Sequence, residues 1–182
     1  MDQIKEGTKN SSAATGKTLF LVRHAKSSWD DIFLSDFERP LNERGKNDGP
    51  KMAKRLRKKN VKIDAFVSSP AKRAKKTAEY FAKEFDVDKD DIIFISALYD
   101  PDVSDFSDTI KNLDESYNSI ALFSHNPAIT AYANQLIDSP KIDNMPTSSV
   151  FAIHTDAEKW KDFAKAKKEF LFFDYPKKET AD

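Results

Sequence analysis

Among 182 residues there is no cysteine, which excludes disulfides, thiolate nucleophiles and cysteine metal sites, and fits a reducing cytoplasm. Nor is there any excess charge: Lys plus Arg number 30 and Asp plus Glu number 30, so no global field draws the chain to nucleic acid or to an anionic membrane surface. Any preference for anions must be local. No stretch approaches the ~20 apolar residues needed to cross a bilayer, and residues 1–17 lack the apolar segment of a secretory signal. There is no internal repeat, and the length suits a single domain. The expectation is a soluble cytoplasmic protein with neither nucleic acid nor membrane as a partner.

Apolar runs and helical spacings alternate along the chain. Leu19–Val22, Ile63–Ser68, Ile92–Ile95 and Ile120–Ser124 read as strands, with Ser148–His154 and Glu169–Phe173 as closing strands. Between them, helices are expected over Glu43–Asn60 (Met52, Ala53 and Leu56 inward), from Pro70 with Ser69 as cap (Ala74, Ala78, Phe81 and Phe85 inward), around Phe106, Ile110 and Leu113, and from Pro127 (Ile129, Ala133, Leu136 and Ile137 inward). Alternation of this kind predicts an α/β fold of three layers, a mainly parallel sheet with helices on both faces. Residues 1–17 read as a flexible extension, 18–175 as a single domain and 176–182 as a polar tail.

Two segments imitate ligand loops. Ser11–Thr18 ends in Gly16-Lys17-Thr18 like a P-loop, but Ser11 stands where the first glycine belongs and a strand follows where a helix should. Asp86–Asp91 starts like a calcium loop, but Asp91 replaces the required glycine and Ala97 the bidentate Glu, leaving an acidic turn.

The chemistry lies at three strand ends. The first strand runs into Arg23-His24, the fourth into His125-Asn126-Pro127, and the second into Ser68-Ser69-Pro70, which opens the helix carrying Arg73. In an open parallel sheet these junctions share one edge, the edge at which such sheets bind ligands. Arg23 and Arg73 can hold phosphoryl oxygens bidentately, and a histidine beside two guanidinium groups is kept neutral and nucleophilic. His24, chain neighbour of Arg23, is the candidate nucleophile. His154, on a closing strand away from these junctions, is read as structural. The histidines lack a surrounding carboxylate cluster at ligand spacing, so no metal and no cofactor are expected.

Four blocks, Leu21–Trp29, Arg39–Gly45, Ser68–Ala78 and Ser124–Pro127, together resemble the histidine phosphatase superfamily, and within it the small SixA-type phosphohistidine phosphatases. The resemblance, covering about Lys17 to Tyr175, implies a phosphoglycerate-mutase-like fold and a phosphohistidine intermediate on His24. Arg23, Arg73 and His125 then match the phosphate pocket, with Ser27 as a further donor to phosphate oxygen. Asp100, in Leu98-Tyr99-Asp100, loosely matches the family's general acid, and its alternative is a place in a solvated acidic loop with Asp102. Ala25 departs from the commoner glycine, and Asp30 sets a carboxylate where relatives often have asparagine.

The resulting expectation is a metal-independent phosphatase acting on phosphohistidine in a protein through covalent transfer to His24. The partner is a phosphorylated protein or a small phosphorylated substrate. Alternatives are hydrolysis of small phosphomonoesters, a non-catalytic phosphate-binding module on the same fold, and metal-dependent hydrolysis. An imidazole leaving group, with an ordinary pKa of roughly 6.5, needs less proton donation than an alkoxide, so a phosphoramidase tolerates a weak general acid.

Overall fold

The computed structural model describes residues 16–178. The extension expected over 1–17 and the tail over 176–182 therefore lie largely outside the described residues. Lys17 does not: it is the first residue of strand β1 (Lys17–Arg23) and is buried. Its ammonium group donates to the carbonyls of Glu115 and Tyr117, each at 2.8 Å. The lysine of the P-loop look-alike thus ties the first strand to the entry of the fourth.

The elements follow as helix α1 (Glu43–Lys58), β2 (Ala65–Ser68), α2 (Lys72–Glu84), β3 (Ile93–Phe94), α3 (Val103–Lys111), β4 (Ser119–Ser124), α4 (Ala128–Leu136), β5 (Val150–Thr155) and β6 (Lys168–Asp174). The sheet order is β3-β2-β4-β1-β5-β6. The first four of these run parallel, β5 is antiparallel to β1, and β6 is antiparallel to β5. The sheet is mixed but mainly parallel, in an α/β fold.

The strands at its centre are apolar without alternation because both faces are covered. Leu19 and Leu21 pack in one layer with Phe106, Ile110, Ile129 and Tyr132 of α3 and α4. Phe20 and Val22 pack in the other with Met52, Leu56, Phe81 and Phe85, on the side of α1 and α2. Burying one such side chain contributes about 1.5–3 kcal/mol, so the run Leu19–Val22, whose successive side chains point to opposite faces, anchors both layers at once.

Several boundaries differ from expectation. Strand β2 begins at Ala65 rather than Ile63, because Asp64 is held at the strand entry, its carboxylate accepting from the backbone amides of Asn118 and Ser119 at 2.9 and 3.0 Å. Strand β3 is a two-residue edge piece. Helix α2 starts at Lys72, with Ala71 rather than Ser69 at the cap position. The Ser69 hydroxyl accepts from the Ala71 amide at 3.2 Å and also contacts His125, and Phe37 of a distant loop accepts from the Lys72 amide at 3.0 Å.

Candidate active site

Register brings the predicted strand ends together. In the β1–β4 pair Arg23 stands opposite Ser124, so the next residues, His24 and His125, emerge side by side. Their ring centroids are 5.0 Å apart with planes inclined by 49°. Both histidines and Arg73 are buried. His154 lies at the other end of the sheet, paired with Thr18, and its Nδ1 is 3.1 Å from the Thr18 hydroxyl.

The tautomer of His24 follows from its partner. Nδ1 is 2.8 Å from the Ala25 carbonyl, which can only accept, so Nδ1 carries the proton and Nε2 presents its lone pair. Burial lowers the His24 pKa well below 6.5, and the positive charge of a protonated His125, of Arg73 and of Arg23 adds to this against the opposing bond to Ala25. His125 is lowered to about 3 by burial and by Arg73 and Arg23, with Asp36 opposing. Both imidazoles are therefore neutral near neutral pH. His125 Nε2 is 2.8 Å from the Ser69 hydroxyl, while its Nδ1 is buried without a partner among the described residues.

The Arg23 Nη1 group donates to the Met145 carbonyl at 2.7 Å, and its Nε is likewise buried and, among the described residues, unpartnered. Burial and the neighbouring Arg73 cation lower the Arg23 pKa. The Arg23 cation, disfavoured by burial and by its neighbour Arg73 and with its Nε–H unpartnered among the described residues, forms a seat that an anion would relieve.

The loop between β1 and α1 walls this seat. Ser27 is buried, and its hydroxyl accepts from Arg39 Nη2 at 2.7 Å, leaving its own proton to donate. Arg39 also binds the Ser28 carbonyl at 2.9 Å and stacks over Trp29 at 3.2 Å from the ring centroid. Thr77 of α2 fastens the start of the loop, accepting from the Ala25 amide at 2.9 Å and donating to the Arg73 carbonyl at 2.7 Å. The block Arg39–Gly45 has a steric reason for its glycine: a Cβ on Gly45 would come within 2.1 Å of the Lys26 carbonyl oxygen. Asn42 caps α1, accepting from the Gly45 amide at 2.9 Å.

Asp100 is not drawn into this group. It is exposed, takes a left-handed backbone conformation (φ 52°), and makes no side-chain hydrogen bond or ion pair among the described residues. Asp30 is exposed too, accepting from the Ser28 hydroxyl at 2.6 Å. Asp36, Ser69 and Tyr99 complete the site without having been singled out for it. Asp36 pairs with Arg73 and Arg39, each at 2.9 Å, and accepts from the Tyr99 hydroxyl at 3.1 Å. The Tyr99 ring meets His125 edge-on, 5.7 Å between centroids. Burial works to raise the Asp36 pKa, but hydrogen bonds from Arg73, Arg39 and Tyr99 and the Arg73 charge outweigh it and bring it to about 2.

Residues 19–100 match the family model of the histidine phosphatase superfamily, branch 1. That match takes in a little under half of the chain and makes it similar to the superfamily. Among curated proteins it is similar to an uncharacterised chloroplast protein of Arabidopsis thaliana, 32% identical over 46% of this chain and 38% of the relative. It is also similar to a 2,3-bisphosphoglycerate-dependent phosphoglycerate mutase of Bartonella bacilliformis, 32% identical over 53% and 48%. The matched stretch thus spans half or less of the curated relatives' length. In fold, the chain resembles a SixA structure from Agrobacterium tumefaciens, with TM-score 0.74, 24% identity and coverage of 88% and 99%. A protein histidine phosphatase SixA complexed with tungstate gives TM-score 0.74, 23% identity and coverage of 87% and 97%. At those identities the likeness concerns the fold.

Among the described residues no group of three or more His, Asp or Glu side chains is placed to hold a metal ion, and no helix is long and apolar enough to cross a membrane.

Proposed function

We propose that this chain is a phosphatase that removes phosphate from phosphohistidine in a protein by way of a covalent intermediate on His24. The observation that carries the reading is the His24 ring itself, its Nδ1 proton fixed on the Ala25 carbonyl and its Nε2 lone pair left beside two guanidinium groups. His24 Nε2 attacks phosphorus, the new N–P bond forms as the substrate's N–P bond breaks, and the imidazole leaves with the bonding pair and takes up a proton. Water then attacks the His24 phosphoryl group, releasing inorganic phosphate and restoring the neutral ring. Arg23, Arg73 and the Ser27 hydroxyl stabilise the non-bridging oxygens, with His125 beside them. Tungstate, held by a SixA protein of like fold, is an oxyanion of the kind this seat would accept.

The preference for phosphohistidine over alkyl phosphates rests on proton supply. Asp36 is anionic at any physiological pH, and Asp100 stands exposed without a partner directing it inward. Neither is a held proton donor, which suits an imidazole leaving group and penalises an alkoxide. A non-catalytic phosphate-binding module would need the arginines but not the oriented His24.

The test is to mix the protein with a polypeptide phosphorylated on histidine by phosphoramidate, quench in alkali and map the label by mass spectrometry. Transient phosphate on His24, absent in His24→Ala together with turnover, is the expected result. Near-normal turnover by His24→Ala overturns the reading.

A further inference from the structure

Asp36 occupies one edge of the Arg73 guanidinium completely. Nη1 donates to the Asp36 backbone carbonyl and Nη2 to its Oδ2 at 2.9 Å. The Nε–H carries no hydrogen bond among the described residues, and the cation lies close enough to His24 and His125 to depress both. Arg73 therefore keeps one edge for a ligand and has given the other to the chain. The Asp36 carboxylate is also fixed from two further directions, by Arg39 at 2.9 Å and by the Tyr99 hydroxyl at 3.1 Å. Its side chain is still 48% exposed, so it meets whatever enters the mouth. Tyr99, which touches both Asp36 and His125, places that carboxylate at the border of the phosphoryl seat.

We propose that Asp36 is a specificity-determining residue: it fills the outer edge of Arg73 with the chain's own carboxylate, leaves a single anion seat, and thereby selects phosphoryl groups borne on neutral or cationic carriers. This rests on the phosphatase reading above for its substrates, though not for its binding test. A ligand with a carboxylate or second phosphate next to its phosphoryl group would find an aspartate on the arginine edge that would otherwise receive it. An imidazole carrier brings no such second anion. At a half-exposed border the discrimination amounts to about tenfold rather than the far larger factor of a dry site.

The test uses non-hydrolysable phosphonates that differ in the charge of the carrier: methylphosphonate, 2-aminoethylphosphonate and phosphonoacetate. Binding is measured by calorimetry at one pH and one salt concentration. Wild type should bind the first two about tenfold more tightly than phosphonoacetate. Asp36→Asn, which keeps an oxygen to accept from Arg73 and Tyr99, should close that gap to within about threefold by improving phosphonoacetate. Equal affinities in wild type, a gap that survives in Asp36→Asn, an equal weakening of all three ligands, or no binding of any to wild type would each overturn the proposal. Selective binding as expected in a protein whose His24 is never labelled would instead reject the phosphatase reading and leave the charge selection standing.

Discussion

Replacing His125 by Gln should remove a measurable part of the acid sensitivity of folding. In the folded protein the His125 pKa is lowered from 6.5 to about 3, with burial the largest cause and the two arginines adding to it. An unfolded chain takes up that proton below about pH 6.5, whereas the folded chain refuses it until about pH 3. The unfolded state thus binds more protons throughout the interval, and stability must fall as pH falls from 6.5 towards 3. Above 6.5 this contribution is flat. At about 1.4 kcal/mol per pH unit, going from pH 7 to pH 5 draws roughly 2 kcal/mol from this residue alone. His24 shifts in the same direction and remains in the variant, as do the carboxylates, so they largely cancel in the difference. Urea unfolding of wild type and His125→Gln at both pH values, in a buffer free of phosphate and other oxyanions, reads the effect directly. Wild type should lose about 2 kcal/mol more than the variant on acidification. Equal losses would refute the inference that His125 is held neutral by burial between two cations.

Three further outcomes bear on the site. Arg73→Lys keeps the charge but not the planar fork that binds Asp36 on one edge and faces the histidines on the other; turnover of phosphohistidine should fall at least 10²-fold, and a lysine variant equal to wild type would reduce Arg73 to part of the basic helix face. Vanadate should compete with substrate for the seat between Arg23 and Arg73, and activity should persist in excess EDTA; loss of activity restored by a divalent metal would favour the metal-dependent alternative. Asp100→Asn should change hydrolysis of phosphohistidine and aryl phosphates less than twofold; a selective loss on alkyl phosphates of ~10²–10⁴-fold would make Asp100 the general acid after all.

What could be read from the sequence was whatever depended on neighbours in the chain. The runs at Leu19–Val22 and Ile120–Ser124 declare buried strands because they are apolar on both faces, and that carries Arg23-His24 and His125 to one sheet edge. Ser69-Pro70 looks locally like a helix start, and Ser69 does accept from the Ala71 amide, but its contact with His125, 56 residues away, has no local signal. Ile63 looks like strand because it is apolar, yet it is buried just before pairing starts.

Asp36 had no local signal at all. It is one acid in a loop that also holds Asp30, Asp31 and Glu38, and its meaning comes from Arg73, 37 residues on, and Tyr99, 63 residues on. Such pairings follow from the fold rather than from spacing: with the loop held against α2 at Thr77 and close against α1 at Gly45, one carboxylate reaches the guanidinium. The strand ends supply the cations and the imidazoles, which the Arg23-His24 and His125-Asn126-Pro127 runs announce. The loop decides which face of those cations remains open, and a change of a single acid there would alter what the same His24 and Arg73 receive.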